Sequence, residues 1–286
     1  MVKTIFLLGH PVGHSISPIF QQVALDYYDL DVVYKPLDVL PNKLEATINL
    51  LRNSEFVGAN VTVPYKERVF GLVDEVHDSA RIIGAVNTIK NHCGKLIGYN
   101  TDADGFVMSL EQTAKFDCVG KTCVVIGAGG SARAVIVGLL KTGIGKIIIF
   151  KRTFSRATNL AVTMDPTGGK IEAINLQQVD IFNKYIREAD LVVNCTSVGM
   201  KGGPGPKTTP VTAEIISSKC LVTDLVYNPE CTPLIKEANK AGASVLTGLS
   251  MLVYQGAIAF EIWTDKKAPS KQMFTAARFT MSKQTN

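Results

Sequence analysis

Lys66 occupies a position that a purely structural role does not explain. Pro64 ends a predicted strand, and Lys66 follows within the first turn of the next predicted helix. A cation there faces the positive end of the helix dipole, which is locally unfavourable. The position therefore indicates a lysine that acts on a ligand. A nearby carboxylate would be a suitable partner for this lysine.

The candidate carboxylate is Asp102, in the segment from Tyr99 to Phe106. Two other interpretations of Asp102 are open. It caps the helix that follows, or it belongs to a calcium loop, because Asp-x-Asp-Gly is part of that pattern. The glutamate that a calcium loop needs at its twelfth position is missing. The sequence thus leaves Asp102 as an ion-pair partner or a helix cap.

Two polar residues share one face of a strand predicted over Phe56–Val63. Asn60 and Thr62 alternate along it, so their side chains point the same way, while Ala59 and Val61 take the other face. Asn is disfavoured in strands. Because the carboxyl ends of strands border ligand sites in α/β proteins, both residues are predicted to contact a ligand.

Three further polar side chains lie where a small ligand could be held. Ser15 and Ser17 precede a predicted helix at Pro18, and Ser17 fits the N-cap position. Their hydroxyls and the helix N-terminus form a candidate carboxylate site. Gln255 lies in an almost wholly apolar helix, where a buried amide needs a polar partner such as a substrate hydroxyl.

A glycine-rich turn from Gly127 to Ala132 joins the predicted strand Thr122–Ile126 to a helix-compatible segment from Arg133 to Lys141. Glycines there allow backbone N–H groups to approach a pyrophosphate at the helix N-terminus. An ordinary turn is the alternative. The strand, turn and helix together predict a dinucleotide site.

Cations follow the next predicted strand, which ends at Phe150. A site selective for NAD would carry an acidic residue there to hold the ribose 2′-hydroxyl. This chain reads Lys151-Arg152-Thr153-Phe154-Ser155-Arg156, with three cations and no carboxylate, which suits a 2′-phosphate. A solvated basic turn is the alternative, although cations at a helix start oppose its dipole. The sequence favours NADP.

The elements that position these residues alternate between short apolar runs and amphipathic segments of helix length, which is typical of parallel α/β architecture. In the first hundred residues we predict strands at Thr4–Leu8, Val32–Leu37, Phe56–Val63 and Val86–Lys90, with helices at Pro18–Tyr28, Pro41–Arg52 and Tyr65–Val73. A second series has strands at Thr122–Ile126, Lys146–Phe150, Leu191–Cys195 and Leu221–Leu225, a loop from Gly199 to Pro210 and an apolar helix at Gly248–Trp263. With 286 residues, two domains are expected.

Composition argues against several classes of protein. The formal charge is +5, and the 30 basic and 25 acidic residues are spread along the chain, unlike a nucleic-acid surface. The six cysteines show no zinc spacing, so reduced thiols and no metal are expected. No stretch has the length of a membrane span or of a signal peptide's apolar region. A small-molecule partner and a cytoplasmic location are expected.

Motifs over nearly the whole chain resemble those of the shikimate dehydrogenases. They are GHPVGHSISP at 9–18, GANVTVPYKE at 58–67, IGAVNTI at 83–89, GYNTDADGF at 98–106, GAGGSARA at 127–134, KRTFSRA at 151–157, NCTSVGM at 194–200, DLVYNP at 224–229 and GLSMLVYQGAIAFEIW at 248–263. The resemblance implies a two-lobed α/β fold. An N-terminal substrate lobe, completed by C-terminal helices (1–103 and 248–286), would carry an inserted Rossmann-type NADP domain (104–247).

The resemblance also implies a reaction and a role for each residue. NADPH would reduce 3-dehydroshikimate to shikimate without a metal. Lys66 and Asp102 would be the catalytic pair, with Lys66 stabilising charge on the oxygen and donating the proton. The implied substrate contacts are Ser15, Ser17, Asn60, Thr62, Asn87 and Gln255, and the implied cofactor contacts are Gly127, Ala128, Gly129, Gly130, Ser131, Ala132, Arg152, Thr153, Arg156, Thr196, Tyr227 and Gly248.

Two positions depart from the usual pattern of that family. Lys151 replaces Asn before the Arg-Thr pair, which should leave the preference for NADP intact. Thr247-Gly248-Leu249-Ser250 replaces Asn-Gly-Leu-Gly, and altered nicotinamide contacts are expected there. Oxidation of quinate, use of NAD, a homodimer, and a catalytically silent NADP-binding sensor stay open as alternatives. The presence of both Lys66 and Asp102 argues against the sensor.

Overall fold

The computed structural model describes residues 2–285 and divides the chain into two compact units. The first unit runs to Gly105 and resumes at Val253, and the second comprises Phe106–Leu252. The domain borders expected from the sequence lay after residues 103 and 247. The borders of the units fall inside two helices, α5 (Asp102–Met108) and α10 (Gly248–Thr264), which therefore each contribute residues to both units.

The first unit is built on a mixed six-stranded sheet in the order β2-β1-β3-β5-β6-β4. Its strands are β1 (Lys3–Gly9), β2 (Val32–Asp38), β3 (Phe56–Val61), β4 (Glu75–Val76), β5 (Thr88–His92) and β6 (Lys95–Tyr99). Its helices, besides parts of α5 and α10, are α1 (Ser17–Tyr27), α2 (Leu44–Leu50), α3 (Lys66–Val69), α4 (Asp78–Ile83) and α11 (Ser270–Thr285). Strand β1 pairs in parallel with β2 and β3, whereas β5 runs antiparallel to both β3 and β6.

The second unit contains an all-parallel sheet in the order β12-β11-β10-β7-β8-β9. Its strands are β7 (Thr122–Ile126), β8 (Lys146–Lys151), β9 (Ile171–Asn175), β10 (Leu191–Asn194), β11 (Leu221–Asp224) and β12 (Ser244–Thr247). Its helices are α6 (Gly130–Lys141), α7 (Phe154–Met164), α8 (Val179–Glu188) and α9 (Pro233–Lys240), with a π-helical turn at Ser109–Ala114 and a 3₁₀ turn at Ala213–Ile215.

Helices on both faces of the second sheet explain its continuous apolar strands. Within β7, Cys123 and Val125 lie in one hydrophobic core, while Val124 and Ile126 lie in the other. Because alternate side chains point to opposite faces, a strand covered on both sides must be apolar at every position. The predicted α/β class, with two series of strands and helices, is confirmed.

Several predicted boundaries are wrong. Strand β3 ends at Val61 rather than Val63, so Thr62 lies one residue beyond it, although its N–H still bonds to Leu8 O at 2.8 Å. The predicted strand Val86–Lys90 is instead β5, two residues later. Helices α2 and α3 are shorter than predicted, with seven and four residues. Strands β4, β6, β9 and β12 were not predicted.

Strand order in the second sheet creates a natural ligand site. Strand β7 lies between β8, which follows it in the chain, and β10, so the order of connection reverses between β7 and β10. Loops leave the carboxyl ends of such strands in opposite directions, and ligands of open α/β sheets bind in the resulting crevice. The glycine turn after β7 and the loop after β10 both lie at this point.

The described part of the chain offers neither a membrane span nor a metal cluster. No helix among these residues has the length and apolar character needed to cross a membrane. Within the same residues, no three His, Cys, Asp or Glu side chains are grouped so as to hold a metal ion.

Candidate active site

An ion pair joins two helix starts in the first unit. Lys66 is the first residue of α3 and Asp102 the first of α5, and Lys66 Nζ lies 2.6 Å from Asp102 Oδ2. Their side chains are only 19% and 6% exposed. The backbone holds the lysine in place, because the Val86 N–H donates to Lys66 O at 2.8 Å. The amine and carboxylate meet although 36 positions separate them.

Asp102 is oriented by its neighbours and does not serve mainly as a cap. The side chain of Asn100 accepts the Asp102 N–H at 2.9 Å, which satisfies one of the unpaired donors at the helix start. Asn100 is itself fixed, because its Nδ2 donates to Ala85 O at 2.9 Å. The Asp102 carboxylate therefore remains available to pair with Lys66 through Oδ2 and with Asn87 through Oδ1.

Asn87 is the centre of the polar cluster. Its Nδ2 lies 2.8 Å from Asp102 Oδ1, 2.9 Å from Thr101 Oγ1 and 3.3 Å from Gln255 Oε1. An amide nitrogen has two hydrogens, so these three acceptors exceed what it can satisfy at once. A substrate oxygen can replace the longest of them, the contact with Gln255, without leaving a donor unpaired.

Asn60 and Thr88 connect this cluster to strand β2. Asn60 Nδ2 donates to Asn87 O and to Thr88 Oγ1, and Asn60 Oδ1 accepts the hydroxyl of Tyr34 at 2.8 Å. Thr88 in turn donates to Asn87 Oδ1 at 2.9 Å. Burial raises the pKa of Tyr34, so its hydroxyl stays protonated and remains a donor. Both donors of Asn60 are used inside the protein, which leaves only an oxygen lone pair for a ligand.

Three hydroxyl groups lie on segments that follow the carboxyl ends of two strands of the first sheet. Ser15 and Ser17 follow β1, Thr62 follows β3, and these strands are neighbours. The predicted N-cap role of Ser17 is wrong: Ile16 is the N-cap, and Ser17 begins the helix. Ser15 Oγ accepts the Ser17 N–H at 3.2 Å instead. The loops are in close contact, because a Cβ added at Gly9 would lie 2.5 Å from the Thr62 methyl group.

The glycine turn of the second unit has room for a pyrophosphate. Gly127 has a φ of 119°, which favours glycine, and Gly129 is the N-cap of α6. A Cβ added at Gly129 or Gly130 would meet nothing within 4 Å, so space remains above the helix N-terminus. Ala132 is fully buried against the sheet. The backbone N–H groups of this turn therefore fit an anionic diphosphate.

Exposed cations follow strand β8, at the start of α7. Lys151 is its last residue, Thr153 is the N-cap of α7, and Arg152 and Arg156 are exposed. None of the three cations forms an ion pair with any residue in the range 2–285. Guanidinium groups without protein partners can bind a 2′-phosphate in a bidentate manner.

Family models match most of the chain. Residues 7–89 match the shikimate dehydrogenase substrate binding domain, residues 110–201 match shikimate / quinate 5-dehydrogenase, and residues 248–278 match the shikimate 5'-dehydrogenase C-terminal domain. A shikimate dehydrogenase (NADP(+)) of Methanopyrus kandleri is 44% identical over 269 residues, covering 93% of this chain and 92% of the relative. The chain belongs to the shikimate dehydrogenase family.

Solved members of the shikimate dehydrogenase family share the fold. The Thermus thermophilus shikimate 5-dehydrogenase, in complex with NADP(H) and shikimate, has a TM-score of 0.86 and 36% identity, covering 97% of this chain and 99% of that one. The Listeria monocytogenes enzyme, in complex with shikimate and NAD, has a TM-score of 0.87 and 32% identity, covering 95% of each chain. The predicted family is thereby confirmed.

Sequence reasoning missed several residues that organise the site of this shikimate dehydrogenase family member. Tyr34, Thr88 and Thr101 hold Asn60 and Asn87, and Asn100 bonds to the N–H of Asp102. Thr88 and Thr101 stand beside residues that the motifs singled out, so their adjacency was a usable signal. Tyr34 offered none, because its partner comes from a strand 26 positions later in the chain.

Proposed function

We propose that this chain reduces 3-dehydroshikimate to shikimate with NADPH and catalyses the reverse oxidation with NADP⁺. Membership of the shikimate dehydrogenase family supports this activity. The observation that carries the proposal is the partly buried ion pair between Lys66 Nζ and Asp102 Oδ2 at 2.6 Å. An oriented ammonium at the edge of a polar cluster is suited to protonate a ketone oxygen as the alcohol forms.

Lys66 has donors to spare for this role. One of its three N–H bonds points to Asp102, and no described residue accepts either of the other two. When bound, NADPH supplies the hydride that reduces the carbonyl carbon. Lys66 hydrogen-bonds the carbonyl oxygen, stabilises the negative charge that grows on it, and transfers the proton that completes the alcohol. In the oxidation of shikimate the lysine accepts that proton again.

The polar residues of the first unit would bind the rest of the substrate. The hydroxyls of Ser15, Ser17 and Thr62 hold the carboxylate, in keeping with their place at one edge of the sheet. Asn87 and Gln255 hold the ring hydroxyls, because the Asn87 amide can exchange its 3.3 Å contact with Gln255 for a substrate oxygen. Asn60, whose two donors are occupied, accepts a hydroxyl hydrogen bond through Oδ1.

The second unit would bind NADP rather than NAD. Backbone N–H groups between Gly127 and Ala132 hold the pyrophosphate, in the space above Gly129 and Gly130. Arg152, Thr153 and Arg156 hold the 2′-phosphate, whereas no carboxylate follows β8 to hold a free 2′-hydroxyl. Thr196 and Tyr227, in the loops after β10 and β11, and Gly248, the first residue of α10 directly after β12, contact the rest of the cofactor.

A four-way assay of the wild-type chain tests this function. Absorbance of the reduced cofactor is followed with shikimate or quinate, each with NADP⁺ or NAD⁺. We expect the highest kcat/KM for shikimate with NADP⁺. The family model that names both shikimate and quinate makes a quinate dehydrogenase the second candidate, and faster turnover of quinate would favour it. Turnover of none of the four pairs would contradict the proposed activity and favour an NADP-binding sensor.

A further inference from the structure

A buried carboxylate in the second unit has no part in the proposed chemistry. Asp224 is the last residue of β11 and has no exposed surface. Its Oδ1 accepts from Asn194 Nδ2 at 2.9 Å and from the Val226 N–H at 3.0 Å, and its Oδ2 accepts the Thr232 hydroxyl at 2.7 Å. Burying a carboxylate costs free energy even when it is well bonded. The residue therefore calls for an explanation other than stability.

One arm of the Asp224 network fixes the loop after β10. Asn194, which ends that strand, accepts both the N–H and the hydroxyl of Thr196 on its Oδ1, at 3.0 and 2.7 Å. Thr196 Oγ1 accepts the Val198 N–H at 3.2 Å. Because Asp224 holds the Asn194 amide by its nitrogen, the amide oxygen is turned toward Thr196, and the conformation of residues 195–198 follows from it.

The other arm fixes the loop after β11. Val226 and Thr232 bracket the segment that contains Tyr227, and both donate to the Asp224 carboxylate. Thr232 also caps α9, because its hydroxyl oxygen accepts the Ile235 N–H at 3.2 Å. A single side chain thus joins the ends of two neighbouring strands to the start of a helix.

The loop after β10 borders the dinucleotide crevice, and the loop after β11 is bonded to the segment that continues it. A Cβ added at Gly127 would lie 3.2 Å from the Cys195 carbonyl oxygen and 3.2 Å from the Thr196 methyl group. The loop after β10 therefore touches the glycine turn directly. The loop after β11 is tied to the chain beyond Thr196, because the Lys201 N–H donates to Asn228 O at 2.9 Å.

We propose that Asp224 is a positioning residue of the cofactor site, which holds the loops of Thr196 and Tyr227 in the conformation that binds NADP. The inference rests on the proposed function, in which those two residues contact the cofactor. Asp224 acts through Asn194, Val226 and Thr232 and is itself covered. Its carboxylate is needed because these three partners are all donors, and a carboxylate is the side chain that only accepts.

The first test is Asp224→Asn, in which an NH₂ group replaces one of the accepting oxygens without a change of shape. The dissociation constant of NADPH is measured by fluorescence titration, and that of shikimate by calorimetry. We expect the NADPH constant to rise about tenfold or more, the effect of losing a hydrogen bond to a charged group, and the shikimate constant to stay unchanged. Thr223→Val is the matched control, because it removes one buried hydrogen bond, to Leu246 O at 2.9 Å, from the same strand.

A second pair of variants keeps the test decisive should Asp224→Asn fail to fold. Thr232→Val removes the hydroxyl that donates to Asp224, whereas Thr232→Ser retains it. Weaker NADPH binding in every one of these two variants that folds, Asp224→Asn and Thr232→Val, with wild-type binding in Thr223→Val and Thr232→Ser, supports the proposal. Folded Asp224→Asn or Thr232→Val proteins whose NADPH constants lie within twofold of wild type overturn it. A wild-type chain that binds no NADPH overturns the proposed function as well.

Discussion

At the scale of the residue, the candidate site consists of groups that hold one another. Lys66 is held by Asp102, Asp102 by Asn87, and Asn87 by Thr88 and Thr101. A partly buried ion pair such as Lys66–Asp102 contributes little net stability, because desolvation offsets the attraction between the charges. What it provides is a fixed direction for the ammonium. Side chains locked in this way lose little further freedom when a substrate binds.

Asp224 should make stability depend on pH. Burial raises its pKa from 3.8 to about 6, despite hydrogen bonds from Thr232, Val226 and Asn194 that lower it. A carboxyl group with a raised pKa in the folded state favours folding below pH 4, and this contribution is lost as the pH rises through about 6. Relative to Asp224→Asn, the wild-type free energy of unfolding should fall by at most about 3 kcal/mol between pH 4 and pH 7.

Urea denaturation of both proteins at several pH values measures this difference. The neighbouring thiol of Cys195 does not interfere, because burial and the charge of Asp224 raise its pKa. A constant difference between the two proteins from pH 4 to pH 7 would contradict the assigned ionisation.

Lys66, Asp102 and Asn60 of the candidate site could be singled out from the sequence, whereas the residues that support them could not. A lysine at a helix start and an asparagine in a strand conflict with local preference, and such conflicts identified Lys66 and Asn60. Tyr34 satisfies every local preference of a strand. Its role depends on the register between sheet neighbours, which places its hydroxyl against Asn60, and no short-range pattern encodes that register.

At the scale of the element, short connections set the positions of the functional side chains. Lys66 and Asp102 each begin a helix that follows a strand of the first sheet. The ends of those strands, β3 and β6, therefore set the distance between the two residues. Strand β6, which leads to Asp102, is held by the β5–β6 hairpin. Its turn contains Cys93 and Gly94, with φ values of 53° and 89°. Two left-handed residues match the twist of a two-residue hairpin.

Replacing Gly94 with alanine should destabilise the first unit by about 1–2 kcal/mol, because alanine is strained at a positive φ. The added methyl group meets only Arg52 O, at 3.6 Å, so strain in the backbone is the whole effect. Gly71→Ala is the control, since Gly71 has no positive φ and open space around it. Urea midpoints measure both variants, and equal midpoints would contradict the argument.

The elements that the sequence did not reveal were missed for different reasons. The hairpin strand β6 was missed because its turn reads Cys-Gly rather than Asn-Gly or Asp-Gly, the usual signal. Strand β9 lies at the edge of its sheet and is only partly buried, so its sequence lacks the apolar run of a central strand. Central strands such as β7 and the apolar helix α10 were recognised because nearly every position in them is apolar, as burial on both faces requires.

At the scale of the whole molecule, the two groups of candidate site residues lie on two sheets of different kinds. A mixed sheet carries the Lys66–Asp102 pair, and an all-parallel sheet carries the glycine turn at the point where its strand order reverses. The alternation of apolar runs and amphipathic segments predicted the α/β class. The order of strands within each sheet could not be predicted from that alternation, because it depends on which strands pair across long stretches of chain.

Replacement of Lys66 by alanine tests the central claim, that an oriented ammonium completes the reduction. The variant is compared with Lys95→Ala, which breaks an exposed ion pair of equal length, 2.6 Å, with Glu75. With NADP⁺ and shikimate, kcat of Lys66→Ala should fall about 10²–10³-fold, or about 2.7–4 kcal/mol, while NADPH binding and the turnover of Lys95→Ala stay close to wild type. A folded Lys66→Ala protein with near-normal turnover would contradict the account.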